Sequence, residues 1–211
     1  MRVTIELQLE DYDHVAFDLD GTLVDSKAVV ESALRRWALE RQICPDYAMR
    51  MSAARRDVEL VEAIAPSLSP EREAARIADY EIQAMGLLQP IEGAAKFYCS
   101  IPAEKRSIVT SSTRISALAR LDAAGISRPR IMIAAEDVSH GKPHPQPYRA
   151  LLRMLRISPE RCLVFEDSQT GIKAATAAGC DCVGVGPSAR GHTETKGWIE
   201  NFREVLANRP R

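Results

Sequence analysis

The spacing of apolar residues changes twice along the chain. From Arg2 to Leu9 they alternate, with Val3, Ile5, Leu7 and Leu9 set against Thr4, Glu6 and Gln8. This is the repeat of a half-buried strand, expected at a sheet edge. Asp11 and Asp13 then punctuate, and His14 to Asp18 reads as a short buried strand. It ends where two carboxylates, Asp18 and Asp20, stand two positions apart before Gly21. From Ala28 to Arg41 the period becomes helical, through Val29, Val30, Ala33, Leu34, Trp37 and Ala38, and it does so again over Val58 to Ile64 and Glu71 to Met85. The spacing thus predicts three helices, interrupted by Pro45 and Pro66. They form a block that closes at Gly86 and the turn-forming Gln89-Pro90-Ile91-Glu92-Gly93.

Beyond that linker, short β runs alternate with helices. Ser107 to Thr110 precedes a helix over Ile115 to Ala124, and Ile131 to Ala134 leads through a proline-rich loop to one over Pro147 to Leu155. Cys162 to Phe165 precedes a helix over Gly171 to Ala178, and Cys182 to Val185 follows. Parallel neighbours need a crossover, so the pattern predicts an α/β fold, a doubly wound Rossmann-like parallel sheet. The first strand belongs to that sheet. The expected organisation is therefore a core of residues 1–26 and 90–211 with a small all-helical domain, 27–89, inserted. Arg203 to Arg211 reads as a helix fraying into a tail.

Composition narrows the function classes. With 28 basic and 29 acidic residues among 211, the formal charge of -1 gives no nucleic-acid surface. Five scattered cysteines read as reduced core thiols, and the one-residue gap of Cys180-Asp181-Cys182 suits neither a zinc site nor a redox pair. No segment has the apolar length to span a bilayer, and no basic, apolar leader opens the chain. The expectation is a cytoplasmic monomer or weak homodimer without nucleic-acid or membrane partners.

In an open parallel sheet, ligands gather at the carboxyl ends of the strands. Asp18 and Asp20, Thr110 and Ser111, Lys142, and Glu166 and Asp167 all fall at or just after such ends. Acids from two strand ends offer hard oxygen ligands for Mg²⁺, while a hydroxyl and an ammonium suit a dianionic phosphoryl group. Taken singly, each feature has a plainer meaning. Asp-x-Asp-Gly-Thr would shape a turn, Glu166-Asp167 or Thr110-Ser111-Ser112 would cap a helix, and Lys142 would be a solvated loop lysine. His140 and His144 flank Lys142 and read as solvated loop residues.

Taken together they resemble the haloacid dehalogenase superfamily. Asp18 to Asp25 (Asp-Leu-Asp-Gly-Thr-Leu-Val-Asp), Ile108 to Ser112, Gly141 to Pro145 (Gly-Lys-Pro-His-Pro) and Phe165 to Ser168 match its four signature motifs in order. The finer likeness, in Thr110 to Arg114, Gly141 to Tyr148 and Phe165 to Ile172, is to phosphatases of sugar phosphates or glycerol phosphate. The resemblance implies that Asp18 is a nucleophile forming an aspartyl phosphate and that Asp20 is the acid and base. It makes Thr110 and the backbone at Ser111 phosphoryl-binding groups and Lys142 a charge stabiliser. Asp18, Asp167, the Asp20 carbonyl and Glu166 would hold Mg²⁺. Gly21, Ser111 and Arg55 would contact a small phosphorylated metabolite, with the helical block as a cap whose Arg50, Arg55 and Arg56 are specificity candidates. Ser52-Ala53-Ala54-Arg55 departs from the Gly-Arg or Gly-Lys pair of many relatives. Trp37 and Tyr47 read as cap core. A phosphomutase shares the same core residues, and a regulatory relative without turnover is a further alternative. A dehalogenase would not need Asp20, and a phosphonate hydrolase would need a cap lysine that the block lacks after Lys27.

Overall fold

A computed structural model describes residues 8–52 and 55–207. The alternating segment Arg2 to Leu9 lies outside the described residues up to residue 7, and Leu9–Asp11 forms a single 3-10 turn. Six strands make one wholly parallel sheet: β1 (His14–Phe17), β4 (Arg106–Val109), β5 (Met132–Ile133), β6 (Cys162–Glu166), β7 (Asp181–Val185) and β8 (Gly197–Ile199). Their spatial order is β5-β4-β1-β6-β7-β8. The chain builds outward from β1 on one side, then crosses back to build outward on the other, so strand order reverses at the β1–β6 pair. That crevice is where Asp18, after β1, meets Glu166 and Asp167, at and after the end of β6.

The sheet has an apolar layer on each face. Val15 and Phe17 of β1 point into one layer and Ala16 into the other, as the two-residue period of a strand requires. All four phenylalanines of the chain, Phe17, Phe97, Phe165 and Phe202, meet in the first layer, with Phe17 stacked on Phe165 at 5.2 Å between ring centres. Each such burial contributes about 1.5–3 kcal/mol. The strands carrying the paired acids are thereby fixed against each other one residue before the site.

Two short strands, β2 (Val24–Asp25) and β3 (Gln89–Pro90), pair antiparallel, and four helices run between them. They are α1 (Lys27–Glu40), α2 (Pro45–Ser52), α3 (Asp57–Ile64) and α4 (Pro70–Gln83). Three of these match the expected helices; α2 corrects the reading of Pro45 as an interruption. Proline at the first helical position loses no hydrogen bond, so Pro45 opens a helix here. The block has its own core of Ala33, Leu34, Trp37, Ala48, Leu60, Val61, Ile77 and Tyr80. Trp37 is fully buried, and its indole N–H donates to Glu73, which also pairs with Arg41. Tyr47, expected in that core, is 41 % exposed because it faces outward from the short α2.

The remaining helices cover the sheet: α5 (Ala94–Ser100), α6 (Arg114–Ala123), α7 (Gln146–Leu155), α8 (Gln169–Ala177) and α9 (Arg203–Ala207). Neither α5 nor β8 was expected from the spacing of apolar residues. Among the described residues, no helix is long and apolar enough to cross a membrane.

Candidate active site

Asp18 follows β1 and is 6 % exposed. Its backbone N–H donates to the Phe165 carbonyl, which extends the parallel pairing of β1 and β6 to Asp18 itself. Lys142 reaches it from the loop after β5. The Lys142 ammonium donates to Asp18 Oδ1 at 2.7 Å, to the Val109 carbonyl at 2.9 Å and to Glu166 Oε1 at 2.5 Å. All three donors of the ammonium are thus engaged. A buried lysine so placed is no solvated loop residue.

Glu166 is fully buried at the end of β6. Besides Lys142, its Oε1 accepts from the Tyr148 hydroxyl at 2.6 Å, and its Oε2 lies 3.4 Å from the Ser168 hydroxyl. Ser168, rather than either acid, caps α8, since its Oγ accepts from the Gly171 N–H at 3.1 Å. Likewise Thr113, rather than Thr110 or Ser111, caps α6. The capping roles are therefore taken by Ser168 and Thr113, which leaves Ser111 and Asp167 free to line the pocket.

Asp20 stands just before the turn at residues 21–23, bridged across it to Val24, with its side chain 26 % exposed. Ser26 donates to Oδ1 at 2.6 Å, and Ser112 and Arg120 approach Oδ2 at 2.7 and 3.2 Å. Gly21 has φ +89°, a left-handed conformation that β-carbon-bearing residues rarely adopt, and a Cβ there would collide with the Asp167 carboxylate. Gly21 thus admits Asp167 into the site without lining it. Thr110 is also set back: it is 3 % exposed, and its Oγ1 accepts from the Ser112 N–H at 3.0 Å.

A pocket of about 220 Å³ opens over these groups, lined by Asp18, Asp20, Arg55, Ser111, Lys142, Asp167, Ser168 and Thr170. Arg55 is the block's contribution to it. Arg56 turns instead to the loop before Lys142, donating to the carbonyls of Ala135 at 3.2 Å, Val138 at 3.0 Å and Ser139 at 3.0 Å. Arg50 sits in the last turn of α2, outside the pocket lining. His140 and His144 face each other at 4.8 Å between ring centres on the exposed side of the Lys142 loop.

Charge in the pocket is unbalanced towards the negative. Burial pushes the Asp18 carboxyl well above the usual carboxylate range; Lys142 opposes this, and Glu166, Asp167 and Asp20 reinforce it. Burial, with Glu166 next, raises Asp167 to about 7. Burial alone would lower the Lys142 pKa, but Asp18 and Glu166 together raise it, so the ammonium stays charged. Carboxylate oxygens of Asp18, Glu166 and Asp167 lie within 4.8 Å of one another, a spacing able to hold a metal ion. Asp18 Oδ2 is buried without a protein partner. A hard divalent cation fits this donor set, because it would take up that oxygen and offset the excess negative charge.

The sequence gives no role to Ser26, Arg120 or Tyr148 and offers Ser112 only as part of a helix cap. Arg120 carried a signal, since it falls on the buried stripe of α6 with Ser116, Ala117 and Leu121, where a charge has to be satisfied internally. Tyr148 stands just after Pro147 at the start of α7 and gave no such sign.

The chain as a whole is similar to known proteins. Residues 12–179 match the model of the haloacid dehalogenase-like hydrolases. The chain is 31 % identical over 181 residues to hexitol phosphatase A of Escherichia coli, covering 82 % of each chain. It is 30 % identical over 182 residues to glycerol-1-phosphate phosphohydrolase 2 of Saccharomyces cerevisiae, covering 80 % of this chain and 72 % of the other. Among solved structures, CbbY from Rhodobacter sphaeroides in complex with phosphate superposes with a TM-score of 0.77 at 21 % identity, over 92 % of this chain and 96 % of that one. That likeness is one of fold, whereas the matched family model and the 30 % relatives bear on lineage. The chain belongs to the haloacid dehalogenase-like hydrolases.

Proposed function

We propose that the protein is a Mg²⁺-dependent phosphatase that removes phosphate from a small phosphorylated sugar or polyol through an aspartyl phosphate on Asp18. One observation carries this reading above the others: the ammonium of Lys142 lies 2.7 Å from Asp18 Oδ1 inside a pocket that Asp20 and Asp167 share. An anionic nucleophile approaching an anionic phosphoryl group needs such a fixed positive partner.

In this reading Asp18 attacks phosphorus and the ester P–O bond breaks, while Asp20 gives its proton to the departing oxygen. Asp20, now a carboxylate, takes a proton from water as that water attacks the phosphorus of the aspartyl phosphate. The bond from phosphorus to Asp18 breaks, which releases inorganic phosphate and restores both acids. Lys142 offsets charge on Asp18 throughout, and Ser111 offers its backbone to phosphoryl oxygens. Asp18, Asp167 and the Asp20 carbonyl, with Glu166 beside them, would hold the Mg²⁺, which supplies positive charge against the phosphoryl oxygens.

The named relatives act on hexitol phosphates and glycerol 1-phosphate, which supports a polyol or sugar phosphate as substrate. Arg55 would contact the leaving group, with residues 27–89 serving as the cap that excludes water. The test is a panel of sugar, polyol and nucleotide monophosphates, assayed for free phosphate with and without Mg²⁺. Release confined to small sugar or polyol esters and lost in Asp18→Asn is expected. Full activity in Asp18→Asn would sink the mechanism, and conversion of the sugar phosphate to an isomer without free phosphate would instead mean a mutase.

A further inference from the structure

Arg120, Glu81 and Asp57 are charged groups outside the pocket lining, and none of them has a part in the chemistry above. Arg120 of α6 is fully buried, and its guanidinium is divided between two parts of the molecule. Nη1 donates to Asp20 Oδ2 at 3.2 Å and to Ser112 Oγ at 2.5 Å. Nη2 lies 2.8 Å from Glu81 Oε1, on α4 of the helical block. Glu81 is itself 5 % exposed, and Asp57, in the first turn of α3, adds its charge to the same guanidinium.

Stability alone is a poor reason for such a cluster. Taking a guanidinium wholly out of water is costly, and apolar side chains of equal volume often serve as well. Its geometry serves Asp20 instead. Both carboxylate oxygens of Asp20 are held, Oδ1 by Ser26 and Oδ2 by Ser112 and Arg120. Because Arg120 also donates to Ser112 Oγ, the Ser112 hydroxyl is left to direct its own proton at Asp20. The two terminal nitrogens divide the task, Nη1 hydrogen-bonding Asp20 while Nη2 forms an ion pair with Glu81 without hydrogen-bond geometry.

We propose that Arg120 is a positioning residue for Asp20, and that Glu81 ties it to the seating of the helical block, so the proton-transferring acid is in register only when α4 is packed on α6. The inference rests on the reading of Asp20 as proton donor and acceptor. It makes a core helix the messenger between the block and the chemistry, whereas Arg55 touches the pocket directly.

The experiment compares kcat/KM for glycerol phosphate, whose alkoxide must be protonated as it leaves, with p-nitrophenyl phosphate, whose leaving group needs little help. Both constants report the step in which the ester bond breaks. Arg120→Met is expected to lose about a hundredfold on glycerol phosphate and less than about fivefold on the aryl ester. Arg120→Lys should recover about tenfold of that loss, and Glu81→Gln should lose about tenfold on the alkyl ester alone. Thermal midpoints are read alongside. If Arg120→Met does not fold, the alkyl-to-aryl ratios of Arg120→Lys and Glu81→Gln decide. Equal losses on both esters in folded variants, or no loss, overturn the proposal. If Asp20→Ala itself affects both esters equally, the underlying assignment of Asp20 fails instead.

Discussion

Gly171, in the first turn of α8, lies so close to the Glu166 carboxylate that a Cβ built on it falls well inside 3.0 Å of Oε1, Oε2 and Cδ. Glu166 is fully buried and cannot swing away into solvent. In an ordinary helix interior, Gly→Ala stabilises by about 1 kcal/mol. Here the sign should invert. Gly171→Ala is expected to cost about 1–3 kcal/mol by overpacking and to lower kcat/KM by roughly tenfold or more as Glu166 is pushed off Lys142. Urea unfolding together with steady-state kinetics checks both, and unchanged values would mean that α8 can shift without disturbing Glu166.

The two anchors of Glu166 differ in what they leave behind. Tyr148→Phe removes one hydroxyl donor while Lys142 stays, so a loss of about 1 kcal/mol is expected in stability, with a modest fall in kcat. Lys142→Ala leaves Asp18 and Glu166 buried with no cation between them, and should cost about 3–5 kcal/mol besides abolishing turnover. Denaturant midpoints of the two variants separate these outcomes. Similar values for both would show that Tyr148, rather than Lys142, holds Glu166.

Arg56 should act on the Lys142 loop from the side of the helical block. Its guanidinium spans the carbonyls of Ala135, Val138 and Ser139, and Gly141 lies against its side chain. Arg56→Ala is expected to release roughly 1–3 kcal/mol of this attachment, visible as faster amide exchange over residues 135–141 and a raised KM. Exchange in that segment identical to wild type would exclude the role.

His14 gives the stability an acid-side slope. Burial lowers its pKa from 6.5 to about 4, and its Nε2 is buried without a partner. The folded state therefore resists a proton that the unfolded chain accepts between those two values, so stability falls as pH drops from about 6.5 towards 4. At pH 5 the loss is about 2 kcal/mol relative to pH 7. Asp18 and Asp167, whose pKa values are raised, act in the opposite sense, so the measurement is the difference between wild type and His14→Leu at the two pH values. A constant difference would refute it.

Much of this site could be read from the chain because its chemistry is local. Asp18 with Asp20, Gly141 with Lys142, and Glu166 with Asp167 are neighbours in sequence, and buried parallel strands are continuous apolar runs that bring them to one crevice. What escaped depends on distant partners. The short β8 exists by pairing with β7, and α5 is a seven-residue helix too brief for its period to show. Arg120 and Asp20 stand far apart in the chain, and only packing makes them neighbours. Tyr47 was misplaced because an aromatic on a short amphipathic helix can face either way. The expectation for Arg2 to Leu9 concerns residues that, up to residue 7, the structure does not describe.

The paired strands Val24–Asp25 and Gln89–Pro90 bring the two ends of the helical insertion side by side at the rim of the sheet. A segment with adjoining ends can be lengthened, trimmed or exchanged without altering the register of any strand beneath it. Selection can then act on that segment as a cassette, provided that the contacts Glu81 and Arg56 make with the core are kept, while the aspartates and the lysine stay in place. Duplicated copies of such a gene would be expected to diverge fastest between Ser26 and Leu88. The chemistry would be inherited and the choice of molecule improvised.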